Sequence, residues 1–153
     1  MDSPLQPNKF FSGTWNGQGE LLPHPLIRWL APKEHIQFSS QPIWLSDMVW
    51  MVKESFQFSS GSTISRTMFV EIVAPDRLHV TADDMPMGAD IMLRENGFQF
   101  TPYYVWATHR GRQWQLKCFD ENVIDEQGTI HDTIRMHFLG VQVATMHLTV
   151  NRN

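Results

Sequence analysis

The chain has a single cysteine, Cys118, in 153 residues. That excludes an intramolecular disulfide and a thiolate metal cluster. It has no basic surplus: 12 Lys and Arg stand against 16 Asp and Glu, a formal net charge of −4. Nothing in it resembles the electrostatic footprint of a nucleic-acid binder. No apolar run approaches the ~18 residues that read as a membrane-spanning helix. The opening MDSPLQPNKFF has neither a basic n-region nor an apolar h-region, so it does not read as a signal peptide. The expectation is a cytoplasmic protein with no membrane span and no nucleic-acid partner. The motifs of phosphate loops, nucleophile elbows, zinc proteases and EF-hands are also missing. No catalytic or metal-ligating set can be named, and cofactors stay unknown on the residues alone. Oligomeric state is not legible.

What is present is apolar bulk and turns. Six Trp, ten Phe and nine Met supply large, adaptable surface for a core or for a ligand cavity. Turn formers recur at short intervals: Ser59 to Ser62, Ala74 to Arg77, Asn96-Gly97, Arg110 to Arg112, Asp125 to Gly128 and Leu139-Gly140. The segments between them are rich in Val, Ile, Thr and aromatics, the signature of an all-β sandwich or barrel. About ten strands are expected, at 11–22, 33–45, 48–58, 63–73, 77–83, 87–95, 98–109, 112–122, 129–138 and 141–150. One short helix, Pro25 to Leu30, is bracketed by prolines after the first strand. Residues 1–9 read as a tail and 10–153 as one domain. Ten consecutive antiparallel strands with one polar face each are best satisfied by an up-and-down barrel, which removes open edges. A barrel of eight or more strands can hold a small ligand. Gly13, Gly17 and Gly19 flank Trp15 and fit a strand that bends or passes close to a neighbour.

Hairpin registers turn the pattern into faces. An Asn96-Gly97 type I′ turn sets Leu93 opposite Phe100 and Ala89 opposite Tyr104. Ala89, Ile91, Leu93, Phe100, Tyr104 and Trp106 then share the inner face. A Leu139-Gly140 turn sets Phe138 against Val141, Met136 against Val143 and Asp132 against His147. The outer face of the second strand in that hairpin is less clean, because Ala144, Met146 and Leu148 fall there. A three-residue loop at Ser60 to Ser62 sets Phe56 opposite Arg66, with Glu54 diagonal to Arg66 and Met68 on the same face.

Inward polar residues carry the functional information in a barrel. A Glu54–Arg66 ion pair is expected on the apolar side. It reads either as a structural pair fixing register or as a guanidinium that holds a ligand carboxylate. Asp132 and His147 form a second candidate pair. It is either a cross-strand contact or a carboxylate orienting an imidazole, and no nucleophile can be placed beside it. The acidic stretch from Thr81 to Asp90 reads as a solvated loop, with Asp83, Asp84 and Asp90 lacking cation-site spacing. Cys118 alternates with Leu116 and is expected buried. The expected ligand-binding residues are therefore Glu54, Phe56, Arg66, Met68, Phe100, Tyr104, Trp106, Asp132, Met136 and His147. They would enclose a small, largely apolar molecule, fatty-acid-like or a similar lipophile. A cofactor-free enzyme using Glu54 or Asp132 as acid–base group is the alternative from another class.

Two resemblances point the same way. The segment FSGTWNGQGELLPHP resembles the first strand of calycins, the lipocalin and fatty-acid-binding superfamily, whose G-x-W is here Gly13-Thr14-Trp15. Its G-x-W-x-G-x-G run is similar to that of nitrobindins, ten-stranded barrels that hold heme. That resemblance implies a proximal histidine on the last strand. The matching position is Thr145, with His147 two residues on. The pattern ESFQFSSG, Arg66, LHVTADDMPMGAD, WQLKCFDE and IRMHFLGVQVATMHLTV, from Glu54 onward, resembles a family of uncharacterised bacterial lipocalin-like proteins, many of them lipoproteins. Both imply a lipocalin-like barrel; the second implies no ligand.

Overall fold

The computed structural model describes residues 5–153 except Arg110, and for His109 the backbone alone. The expected turn at 110–112 and tail at 1–9 thus fall partly outside the described residues. A helical turn, α1 (Pro7–Phe10), precedes eleven strands. These are β1 (Trp15–Pro23), β2 (Glu34–Trp44), β3 (Val49–Phe58), β4 (Thr63–Ala74), β5 (Arg77–Ala82), β6 (Met85–Arg94), β7 (Gly97–Phe100), β8 (Tyr103–His109), β9 (Arg112–Ile124), β10 (Ile130–Phe138) and β11 (Val141–Arg152). The expected helix after the first strand is a 3₁₀ turn over Pro25–Ile27.

All pairings are antiparallel, and β9 pairs β10 to close the sheet into a barrel. β7 and β8 both lie along β9 and take the place of the single strand expected at 98–109. The all-β, closed antiparallel barrel expected from turn spacing is the observed fold.

One end is plugged. Phe10 and Phe11, leaving α1, pack on Trp15, Trp50 and Phe98 with ring centroids 5.1 to 6.4 Å apart. Trp44 stacks on Trp50 at 4.3 Å, and its indole Nε1 donates to the Phe11 carbonyl. Such ring pairs add roughly 0.5–1.5 kcal/mol each beyond the apolar area they bury. Phe10 and Phe11, the first residues of the expected domain, thus form part of the barrel's base. Glycine 19 lets the wall close beside it: a Cβ there would lie 1.7 Å from the His147 carbonyl oxygen. Only a residue without a side chain permits β1 and β11 to approach that closely.

Two bulges correct the expected faces. The β7 residues pair with β9 one step out of phase with β8: Gln99 faces Glu121, yet Tyr103 faces Cys118. Thr101 and Pro102 are both exposed between them, and Pro102 has no N–H to continue the ladder. Past that point Tyr103 and Val105 turn inward, while Tyr104 and Trp106 turn outward. The β10–β11 ladder also shifts by one, between Met136 and His137. Asp132 therefore faces Leu148, and Met146, Leu148 and Val150 are buried inside. The untidy outer face read from sequence was the inner face. His147 pairs instead with Thr133, whose Oγ1 lies 3.3 Å from His147 Nδ1 on the exposed side. The Asn96-Gly97 hairpin turns one residue earlier than expected, with Arg94 opposite Gly97 and Ile91 opposite Phe100. That shift of two in register keeps the apolar faces together.

Candidate binding chamber and its polar floor

Above the aromatic plug the barrel divides at its middle. Period-2 alternation brings Glu54 on β3, Arg66 on β4, Tyr103 on β8, Asp120 and Asn122 on β9 and Asp132 on β10 to the interior. Asp84, in the tight β5–β6 turn, joins them from the side.

Glu54 and Arg66 are directly opposite, not diagonal, because the hairpin turns one residue earlier than expected, with Phe58 N–H donating to the Ser62 carbonyl. Arg66 Nε donates to Glu54 Oε2 at 2.8 Å, and Nη1 approaches Asp84 Oδ2 at 3.5 Å. Burial works against the guanidinium's charge, but Glu54, with Tyr103 and Asp84 behind it, holds its proton more tightly than usual. The expected ion pair is present. A free guanidinium for a ligand carboxylate is not, since the protein's own acids occupy Arg66.

Asp120 is a hub. Tyr103 Oη donates to its Oδ2 and Asn122 Nδ2 to its Oδ1, both at 2.8 Å. Asp132 is hydrogen-bonded to it as well. Two buried carboxyls cannot both ionise cheaply at such range, so one proton is shared. Burial raises both. Asp120 is drawn back by the bonds from Asp132, Tyr103 and Asn122, while Asp120's charge pushes Asp132 further, well above the carboxylate range. Of the two, Asp132 is the one raised further. Burial, then the Asp120 charge, also raises the Tyr103 phenol, and lifts the Cys118 thiol to about 12. Cys118 is buried, as expected.

Two carboxyl oxygens in this layer are buried without a hydrogen-bond partner among the described residues: Asp84 Oδ1 and Asp132 Oδ1. Asp132 lines a void of about 120 Å³ beneath the layer, with Asp120, Asn122, Met68 and Phe100. Above the layer lies a space of about 1610 Å³. Its inner wall is mostly apolar: Leu21, Phe56, Phe58, Val105, Leu116, Ile134, Met136, Met146 and Phe138. Ile27, Leu30 and Ala31, from the 3₁₀ turn and the segment after it, line its mouth.

The space is not confined to the interior, and its volume includes a groove outside. Its lining continues to Ser65 and Thr67 on the outer face of β4 and to Trp106 on the outer face of β8. The topology explains this. β5 meets β4 only from Met68 onward, and β8 pairs only with β9. Thr63 to Thr67 and the upper part of β8 therefore border a side slot, with Asp83 and Asp84 at its foot.

Of the residues expected to bind ligand, Glu54, Phe56, Arg66 and Met136 line the upper chamber. Met68, Phe100 and Asp132 line the lower void. Trp106 stands at the slot, 45% exposed. Tyr104 lies outside, beneath the Lys117 ammonium, 6.0 Å from its ring centroid. His147 lies outside too, so the Asp132–His147 pair does not form. Sequence reading missed Tyr103, Asp84, Asp120 and Asn122. The alternation that buried Cys118 runs on to Asp120 and Asn122, a signal that was there to follow. Asp83, Asp84 and Asp90 do not converge: Asp90 pairs with His79 on the outer face at 2.8 Å. Among the described residues no group of three His, Cys, Asp or Glu is placed to hold a metal ion.

The fold and this interior define a closed antiparallel β-barrel with an open chamber over a buried polar layer. The chain belongs to the family described as "Protein of unknown function (DUF3833)", whose model matches residues 2–152. No curated protein matches it. Among solved structures it is similar to a protein of unknown function from the DUF3598 family of Nostoc punctiforme. Identity is 19%, TM-score 0.64, over 99% of this chain and 50% of that one. The chain thus spans about half the length of the Nostoc protein. It is also similar to an S-type phycobiliprotein lyase from Guillardia theta, at 10% identity and TM-score 0.60, over 97% and 93% of the two chains. At these identities the likeness is one of fold. No helix among the described residues is long and apolar enough to cross a membrane.

Proposed function

We propose that this protein is a lipocalin-like binder that holds a small, largely apolar molecule in the upper chamber. The observation that carries the reading is the chamber itself: an apolar wall, a few converging polar groups at its base, and a way in at the mouth and the slot. A packed barrel with no ligand would have no reason to leave that space. A lyase of similar fold is compatible with the reading but does not carry it.

The test is titration with the neutral fluorophore N-phenyl-1-naphthylamine, alongside native mass spectrometry of the purified protein. Saturable binding at one molecule per chain is expected. Val105→Trp and Met136→Trp, which fill the chamber from the strands on either side of β9, abolish it. Binding that survives both substitutions unchanged overturns the reading.

Heme finds no support. The histidine it required, His147, lies outside the barrel, as does Thr145. Acid–base catalysis has one observation in its favour: Asp132, whose acidity is weakened by burial and by Asp120, lines a void with an unpartnered oxygen. Glu54, the other acid considered, is committed to Arg66. A bound ligand recovered chemically unchanged after prolonged incubation goes against this second reading.

A further inference from the structure

The identity of the ligand's polar end follows from the floor, granted the chamber reading above. Four carboxyl groups meet there, Glu54, Asp84, Asp120 and Asp132, against one guanidinium. Lys53 is on the outer face of β3 and Arg112 is exposed at the mouth, so neither balances them. A shared proton removes one charge from the Asp120–Asp132 pair and Arg66 offsets one more. An acidic excess remains. A buried acidic excess is costly unless something neutralises or solvates it.

The hydrogen bonds lead to the same conclusion independently. The floor's donors do not reach all of its acceptors: two buried carboxyl oxygens have no partner among the described residues. Tyr103 and Asn122 donate to Asp120, Arg66 Nε to Glu54 and Arg66 Nη1 to Asp84 Oδ2. Asp84 Oδ1, at the base of the chamber and the foot of the slot, receives none. Asp132 Oδ1, one layer deeper, receives none. The two spaces share Ser40, Glu54, Phe56, Arg66 and Ile134 in their walls, so they lie on either side of one polar layer. A ligand carboxylate there would meet like charge from Asp84, Glu54 and Asp120. An alcohol would supply one donor and no charge.

We infer that the chamber selects amphiphiles with a protonated, N–H-bearing nitrogen, a lipophilic amine, whose nitrogen seats on Asp84 with its apolar chain directed toward the mouth. Such a group supplies a donor for Asp84 Oδ1 and the positive charge that offsets the acidic excess. It inverts the polarity expected of a fatty-acid barrel.

The experiment is competition against bound N-phenyl-1-naphthylamine, using dodecylamine, dodecanol and dodecanoate below their micellar concentrations at pH 7. The three probes share one apolar body. The amine is expected to displace the fluorophore at a concentration at least tenfold below the alcohol, with dodecanoate the weakest. Asp84→Asn brings the amine-to-alcohol ratio toward one. Should Asp84→Asn misfold by circular dichroism, the parent protein is titrated with dodecyltrimethylammonium, which carries the charge but no N–H; displacement weaker than by dodecylamine is expected, and equal displacement overturns the inference. Equal displacement by all three, or preference for dodecanoate, overturns this inference and leaves the chamber reading standing. Failure of the fluorophore and of all three chains to bind overturns both.

Discussion

Arg66 and Glu54 face each other directly across β3 and β4, with Nε donating to Oε2 at 2.8 Å, both side chains largely out of solvent. Removing one member strands the other. Glu54→Gln leaves a buried guanidinium with Asp84 alone, at a looser 3.5 Å. Breaking such a pair from one side destabilises by about 3–5 kcal/mol, whereas replacing both with apolar residues of similar volume is often near neutral. Urea denaturation is therefore expected to show Glu54→Gln severely destabilised and Glu54→Leu with Arg66→Met far less so. Equal losses in the single and double variants would mean that the pair contributes through packing.

How much of this was legible in the chain depends on the range of the physics. Strand positions were, because alternation and turn chemistry are local. The Glu54–Arg66 pair was, because a two-residue error in register returns both side chains to the same face. Tyr103 was not. One extra residue at Thr101-Pro102 reverses the phase of everything after it, exchanging Tyr104 and Trp106 for Tyr103 and Val105. A second bulge does the same to His147 and Leu148. Bulges are fixed by the strands on either side, which no local pattern reports. Asp84 was hidden differently: a turn residue reads as solvated until the barrel folds it against Arg66.

Gly19 gives a test of barrel closure that touches no polar group. A methyl group there would overlap the His147 backbone carbonyl, and backbone cannot step aside as a flexible side chain would. Gly19→Ala is expected to cost about 1–3 kcal/mol or more through overpacking, with the thermal midpoint falling accordingly. Gly61→Asp is the comparison. Its loop is open, with nothing within 4 Å of an added Cβ, but its φ of +94° favours glycine, so only a modest strain penalty is expected. A Gly19→Ala variant as stable as the parent would mean that β1 and β11 are not held that closely.

Cys118 reports on the same interior. Its thiol is buried and raised to about 12, first by desolvation and then by the Asp120 charge. At pH 8 only about one part in ten thousand is thiolate, and the thiolate is the nucleophile. Iodoacetamide labelling of the native protein is expected to be slow and to accelerate sharply in urea, tracking global unfolding. A stoichiometric, rapid native reaction would show that the floor is open and hydrated.

Asp132 makes stability depend on pH in a direction opposite to most carboxylates. Burial and the neighbouring Asp120 make it a far weaker acid in the folded chain than in the unfolded one. Between the ordinary carboxylate range and its raised value, the folded chain holds a proton that the unfolded chain has released. The folded state binds more protons there, so stability falls as pH rises through that window. Below the window both states are protonated and the effect vanishes. Asp132→Asn keeps the hydrogen-bonding shape without the titration. Urea melts at intervals from pH 4 to 9 are expected to show the variant gaining on the parent steadily as pH increases, with the smallest difference at pH 4. Ionisation of Asp120 accompanies the change, so Asp120→Asn in the same series is expected to bring Asp132 back toward ordinary acidity and flatten the profile as well. Parallel profiles for parent and variants would mean that the pair does not share a proton.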